Sequence, residues 1–128
     1  MPSATSISIN DATPTAHVFV PISVTPQLSL FRNTADASIS ASEEQVGLSI
    51  SRATAQRDTN KVKVTLSMPY EQTVDGAVQV RSTARFISEF VLPDDMTATE
   101  RADFAKLCAN SLDHADIAGY ITDLTPVW

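Results

Sequence analysis

Residues 61–69 read KVKVTLSMP, a run in which polar and apolar side chains alternate almost without exception. Alternation with period two marks a β-strand, because successive side chains leave opposite faces of the pleated backbone. Val62, Val64, Leu66 and Met68 fall on one face, and Lys61, Lys63, Thr65 and Ser67 on the other. A strand this two-sided belongs in a sheet that packs one face and leaves the other polar, which is the habit of antiparallel sheets.

The same pattern extends outward. SISI (6–9), HVFVPISV (17–24), QLSLF (27–31), QVGLSIS (45–51) and VQVRSTARFISEFVL (78–92) are rich in Val, Ile, Thr and Ser, and most alternate. Turn formers separate them: Asn10 and Asp11 before Pro14, TP at 25–26, RNTAD at 32–36, QRDTN at 56–60 and VDG at 74–76. Strands joined by breaks this short are expected to pair antiparallel. Pro21 cannot donate to a ladder, so its strand is expected at an edge or at a bulge.

From Thr97 the period changes. Met96, Phe104, Leu107, Cys108 and Leu112 recur at helical spacing, with Glu100, Arg101, Asp103 and Lys106 on the other side. Thr97 and Glu100 form a capping box, each side chain taking a backbone N–H that the first turn leaves unpaired. The helix of about 15 residues spans roughly 22 Å. A second, shorter helix is expected in HADIAGYITDL, capped by Asp113, with Asp116 in its first turn and Pro126 as its stop. Gly119 weakens its middle or marks a close helix contact. Strands followed by helices imply an α+β fold with the helices stacked on one face of an antiparallel sheet.

The 128 residues, 43% of them hydrophobic and 19% charged, describe one globular domain that would gain from a partner at this size. Cys108 is the single cysteine, so no intramolecular disulfide forms, and no Cys/His spacing fits a zinc site. The N-terminus lacks the features of a signal peptide and no run is long enough to span a membrane, so the cytosol is the expected compartment. Basic and acidic residues balance as far as Arg85. Beyond it only Arg101 and Lys106 oppose Glu89, Asp94, Asp95, Glu100, Asp103, Asp113, Asp116 and Asp123, so the net charge of −6 falls in the C-terminal third.

The apolar face of the sheet is expected to carry Val46, Leu48 and Ile50, then Val62, Val64, Leu66 and Met68, then Phe86, Phe90 and Leu92. The polar face carries Gly47, Ser49 and Ser51, then Lys61, Lys63, Thr65 and Ser67, then Arg81, Thr83 and Arg85, with Ile87 as an apolar exception. For an arbitrary α+β domain this is an ordinary solvated face. Catalytic patterns are sparse. His17 and His114 are not spaced to pair with Cys108, Asp94 and Asp95 read as helix-start electrostatics, and three glycines do not make a phosphate loop. No enzyme activity, cofactor, metal or small-molecule substrate is expected. A small dimeric nucleic-acid-binding protein and a hydrolase using His17 or His114 are the alternatives to a structural protein.

Two segments, QVGLSISRATAQRDTNKVKVTLSMP (45–69) and TATERADFAKLCANSLDHADIAGYITDLTPVW (97–128), resemble the coat proteins of single-stranded RNA bacteriophages of the levivirus type. The likeness rests on length, element order, the polar hairpin turn with its closing proline, and a helix pair ending in Ile121, Leu124, Pro126 and Trp128. It implies one domain over 1–128, with an N-terminal β-hairpin and five-stranded antiparallel sheet over about 6–92 and two helices over about 97–125. It also implies interlocked homodimers with a continuous ten-stranded sheet, assembling into an icosahedral shell around genomic RNA in the host cytoplasm, with a maturation protein as a further partner.

In that family the uncovered sheet face lines the shell interior and binds an RNA hairpin, repressing replicase translation and aiding packaging. The resemblance thus implies an RNA-binding role for Ser49, Ser51, Lys61, Lys63, Thr65 and Arg85, the lysines meeting phosphates and the hydroxyls meeting phosphate, sugar or base. Arg85 stands where a stacking tyrosine is usual, Ile87 replaces a polar residue and Gly47 a threonine, so a different hairpin is expected. The acidic helices would point away from RNA. The charge of −6 predicts weak counterion-driven binding, so packaging leans on assembly and the maturation protein. YEQTVDGAVQ (70–79) is expected either to meet other copies around the symmetry axes, as the resemblance implies, or to form a plain hairpin turn on Asp75 and Gly76.

Overall fold

The structure, a computed structural model, describes residues 5–35, 37 and 39–124. The chain divides between Val91 and Leu92 into two compact units.

The first unit holds a six-stranded sheet in sequential order, β1 (Ile7–Asn10), β2 (Ala16–Val24), β3 (Leu28–Asn33), β4 (Glu44–Ser51), β5 (Thr59–Val74) and β6 (Ala77–Pro93), the last two residues of β6 belonging to the second unit. The four ladders from β1 to β5 are antiparallel, as the short breaks require. The expected N-terminal hairpin is β1–β2, and β2 continues into the sheet formed with β3 to β6.

Local chemistry sets each turn. Asp11 closes the first by accepting from the backbone N–H of Thr13 at 2.9 Å and of Thr15 at 2.8 Å. Thr25 accepts from Leu28 N at 3.0 Å and donates to its carbonyl at 2.8 Å, turning the chain between β2 and β3. Asp75 (φ 51°) and Gly76 (φ 81°) form the two-residue turn between β5 and β6. Positive φ at both positions is the type I′ pattern, whose twist matches that of the strands. The 70–79 segment is therefore strand, turn and strand.

Pro21 is bulged, as expected of a residue with no N–H to give. The β2–β3 register shifts between Pro21 and Ser23, and β1 pairs β2 only as far as Phe19. Pro69 lies inside β5 where the sequence pattern marks a strand end. The β4 ladder stops at Ser67, so the strand passes through Pro69 beyond its last bond to β4.

The core is small: Phe19, Phe31 and Val46 are buried, with Ile7, Leu48 and Leu66 packed around them. Much apolar surface stays exposed elsewhere, with Ile87 at 69%. Beside this core lies a polar cluster. His17 bridges Glu44 (Nδ1 to Oε1, 2.8 Å) and Asp11 (Nε2 to Oδ2, 2.9 Å), and Glu44 also accepts from Asn33 Nδ2 at 2.8 Å. Asn33 is 1% exposed, so this hydrogen bond supplies a partner that burial would otherwise deny it.

The second unit holds α1 (Ala98–Asp113) and α2 (Ala115–Thr122). The capping box is formed: Glu100 N donates to Thr97 Oγ1 at 3.2 Å and Thr97 N to Glu100 Oε1 at 2.9 Å. The bond from Thr97 N, and after it the Thr97 side chain, hold the Glu100 carboxyl below its ordinary pKa. The second cap differs from expectation. His114, in extended conformation, caps α2 by accepting from Asp116 N at 3.2 Å, while Asp113 ends α1. With a single residue between the helices, the cap falls to whichever side chain leaves helical geometry, and that is His114. Neither helix has a buried residue; Leu107 is 68% and Ile121 61% exposed. A Cβ added at Gly119 would meet nothing within 4 Å, so within the described residues no close helix contact explains it. The expected stop at Pro126 and the terminal Trp128 lie outside the described residues.

Candidate nucleic-acid interface

The β4–β5 ladder decides which polar side chains meet. Ser49 is directly opposite Lys63, Ser51 opposite Lys61, and Gly47 opposite Thr65. Opposed residues share a face, so five of the six expected site residues form one patch across two strands. Lys63 and Ser51 are exposed, and Lys61, Ser49 and Thr65 are half-buried. On the next strand Leu28 stands opposite Ser49 and Leu30 opposite Gly47, which gives the patch an apolar margin.

Gly47 and Thr65 fit each other. A Cβ built on Gly47 would lie 2.6 Å from Thr65 Oγ1, and that hydroxyl donates to Gly47 O at 3.4 Å. The threonine occupies the space that the glycine leaves, so its hydroxyl is partly turned into the sheet.

Arg85, the sixth expected residue, stands exposed on β6, and among the described residues no hydrogen bond joins it to the other five. Ser88 Oγ donates to Val64 O at 3.0 Å, tying β6 to β5 at this level. By alternation Arg85 and Ile87 point to the side of β6 opposite Ser88. Arg81 belongs elsewhere: its guanidinium lies 5.9 Å from the ring centroid of Tyr70, whose hydroxyl reaches Met68 Sδ at 3.7 Å.

One participant is missing from the sequence reading. Arg57, in the β4–β5 connection, donates through Nη2 to Ser51 Oγ (2.8 Å), Arg52 O (2.9 Å) and Ser51 O (3.3 Å), and through Nε to Thr59 O (3.0 Å). Asn60 Oδ1 accepts from Ala53 N at 2.9 Å and closes the connection from the other side. The sequence signal was present in the Arg- and Asn-containing turn, but composition does not reveal which arginine folds back.

Among the described residues, no carboxylate pairs with Arg57, Lys61 or Lys63, since the ion pairs involve His17, Arg32 and His114. Two acids, Asp11 and Glu44, are instead engaged by His17. The hydrogen bond to Glu44, then that to Asp11, raises the His17 pKa from 6.5 to about 9. Hydrogen bonds from Thr13, His17 and Thr15 hold Asp11 far below the usual carboxylate range. Cavities of about 220 and 200 Å³ open beside His17. Both imidazole nitrogens are already engaged by carboxylates, which leaves neither free to move a proton for a substrate.

A two-faced antiparallel sheet in which β5 carries two lysines with no carboxylate partner among the described residues, joined in sequence to helices of exposed apolar surface, is the build of a self-associating structural protein. The chain belongs to the levivirus coat protein family, whose model matches residues 2–128. It is thus a capsid protein of the virion and not an enzyme. Among solved structures, the virus-like particle of Beihai levi-like virus 21 superposes with a TM-score of 0.89 at 22% identity, covering 99% of each chain. The virus-like particle of bacteriophage ESE058 gives 0.83 at 28% identity, covering 99% of this chain and 100% of that one. The bacteriophage GA protein capsid gives 0.75 at 20%, covering 94% and 95%. No curated protein matches the chain.

Proposed function

We propose that this coat protein assembles as homodimers into an icosahedral shell around its RNA genome and binds an RNA hairpin through the polar face of β4 and β5. The observation that carries the reading is the register that sets Ser49 against Lys63 and Ser51 against Lys61. Two cations with no carboxylate partner, each beside a hydroxyl, suit a phosphodiester backbone; the lysines neutralise phosphates, and Ser49, Ser51 and Thr65 hydrogen-bond phosphate, sugar or a splayed base. Arg85 extends the charge onto β6 and can stack on a base through its planar guanidinium. Bound hairpin represses replicase translation and marks the genome for packaging in the host cytoplasm, with a maturation protein as a further partner.

The exposed apolar surfaces support dimerisation. Phe86, Ile87 and Val91 on the edge strand β6, and Leu107, Leu112, Ile117 and Ile121 on the helices, are exposed in the single chain. An open sheet edge and apolar surface of this extent require cover. Pairing two β6 edges joins β2–β6 of each copy into a ten-stranded sheet, and exchanged helices supply the cover.

Electron microscopy and size-exclusion chromatography of recombinant protein test the assembly: particles of capsid size are expected, and discrete dimers under all conditions would point to the smaller nucleic-acid-binding alternative. Lys61→Ala combined with Lys63→Ala is expected to lower the RNA content of particles that still form. Unchanged RNA content would remove this face as the contact surface.

A further inference from the structure

We infer that Arg57 is a positioning residue that turns the end of the β4–β5 hairpin into a phosphate site made with Ser51 and Lys61, an inference that rests on the RNA-binding reading above. Arg57 lies outside the strands and alternates with nothing, yet it makes four hydrogen bonds to Ser51, Arg52 and Thr59. A guanidinium carries five N–H donors in a fixed fork. Nη2 and Nε hold the hairpin end, while Nη1 has no partner among the described residues.

The decisive contact is Nη2 to Ser51 Oγ at 2.8 Å. Arg57 has only donors, so the Ser51 oxygen accepts here and its own hydrogen remains free to donate outward. Ser51 is the ladder partner of Lys61. The hairpin end therefore gathers three donor groups, the Ser51 hydroxyl, the Lys61 ammonium and Arg57 Nη1, and no carboxylate pairs with either cation among the described residues. Two positive charges, with the neighbouring exposed Asp58 paired to neither, suit an anion. Arg57 also takes up the carbonyls of Ser51, Arg52 and Thr59, removing acceptors that would repel one. The ligand class is an RNA backbone phosphate, and since phosphate contacts carry no sequence information, this site contributes equally to any RNA.

The test measures binding of the full-length protein to a stem–loop RNA and to a homopolymeric single strand over a range of salt concentrations. Arg57→Ala should weaken both by a similar factor, about tenfold, and reduce the slope of log K against log salt by about one. Arg57→Lys keeps the charge but not the fork, so it should retain most of the slope while losing several-fold in affinity. Ser51→Ala should weaken binding in the parent and have no further effect in the Arg57→Ala background, because the hydroxyl is oriented by the arginine. Inorganic phosphate at matched ionic strength should not compete; if it does, the site takes free phosphate and the assignment to RNA falls. Should Arg57→Ala fail to yield soluble protein, the Arg57→Lys and Ser51→Ala pair still decides.

Parent-like binding by the Arg57 variants, alongside weakened binding by Lys63→Ala, would overturn the role of Arg57 and leave the RNA face standing. Parent-like binding by Lys63→Ala and by Lys61→Ala as well would overturn the RNA face itself.

Discussion

Raising the pH should loosen the N-terminal hairpin through His17. In the folded protein the imidazole is held between Glu44 at 2.8 Å and Asp11 at 2.9 Å, and its pKa rises from 6.5 to about 9. A group that binds its proton more tightly when folded contributes its full stability below the unfolded pKa, and loses it as pH climbs through the folded one. The contribution is therefore complete below about pH 6.5, declines across the interval to about 9, and is gone beyond it. Counted in full, the displacement would be worth about 3 kcal/mol. The His17 and Asp11 side chains remain 21% and 38% exposed, and solvent screening reduces the expected value to about 1–2 kcal/mol. The assay is urea denaturation of parent and His17→Gln protein at about pH 6, 8 and 10, at one protein concentration because association shifts apparent stability. The stability difference between the two should shrink across that interval and vanish at its upper end. A difference that stays constant with pH, or grows, would refute the charged bridge. The Asp11 carboxyl, with its pKa lowered, acts at the other extreme: its contribution is present above the ordinary carboxylate pKa and is lost only in strong acid.

Three further outcomes are expected. Gly47→Ala should destabilise by about 1–2 kcal/mol because its Cβ would lie 2.6 Å from Thr65 Oγ1, and the loss should disappear in a Thr65→Ala background, as a double-mutant cycle in thermal unfolding would show. Thr97→Ala removes the acceptor for Glu100 N and should cost about 1 kcal/mol of α1 stability, read as reduced helicity on urea titration. Gly76→Ala forces a Cβ onto φ 81° and should cost about 1–2 kcal/mol, measured by the same unfolding assay, with most of the fraying at the β5–β6 turn seen by hydrogen exchange.

Most of the strand pattern was open to reading because alternation is a local property. Ser49 and Ser51, or Lys61, Lys63 and Thr65, share a face whatever the strand pairs with, since successive side chains point opposite ways. The bulge at Pro21 and the capping box at Thr97 were equally legible, each following from what one or two side chains can donate or accept. The extent of β5 was not. Residues 70–74, YEQTV, do not alternate cleanly, and Pro69 reads as a terminator until its place beyond the β4 ladder is known. The second helix cap was assigned to Asp113, a better capping residue by type than His114. Where α1 ends, however, depends on backbone geometry over several residues, and that geometry leaves His114 in the capping position.

The site divides along the same line. Sequence by itself determined the chemical content of each strand face, the charge split before and after Arg85, and the capping of α1, because all three are fixed by neighbours within a few residues. It also carried the family likeness that membership of the levivirus coat proteins bears out. Only the tertiary structure decided that Ser49 meets Lys63 and Ser51 meets Lys61, since register is a relation between strands and a slip of one residue would have put Lys63 opposite Leu48 or Ile50 instead. The same holds for His17, whose partners Asp11 and Glu44 lie 6 and 27 residues away, and for Arg57, whose side chain folds back onto Ser51. Contacts of that kind depend on where the chain returns in space, and composition and periodicity carry no record of it.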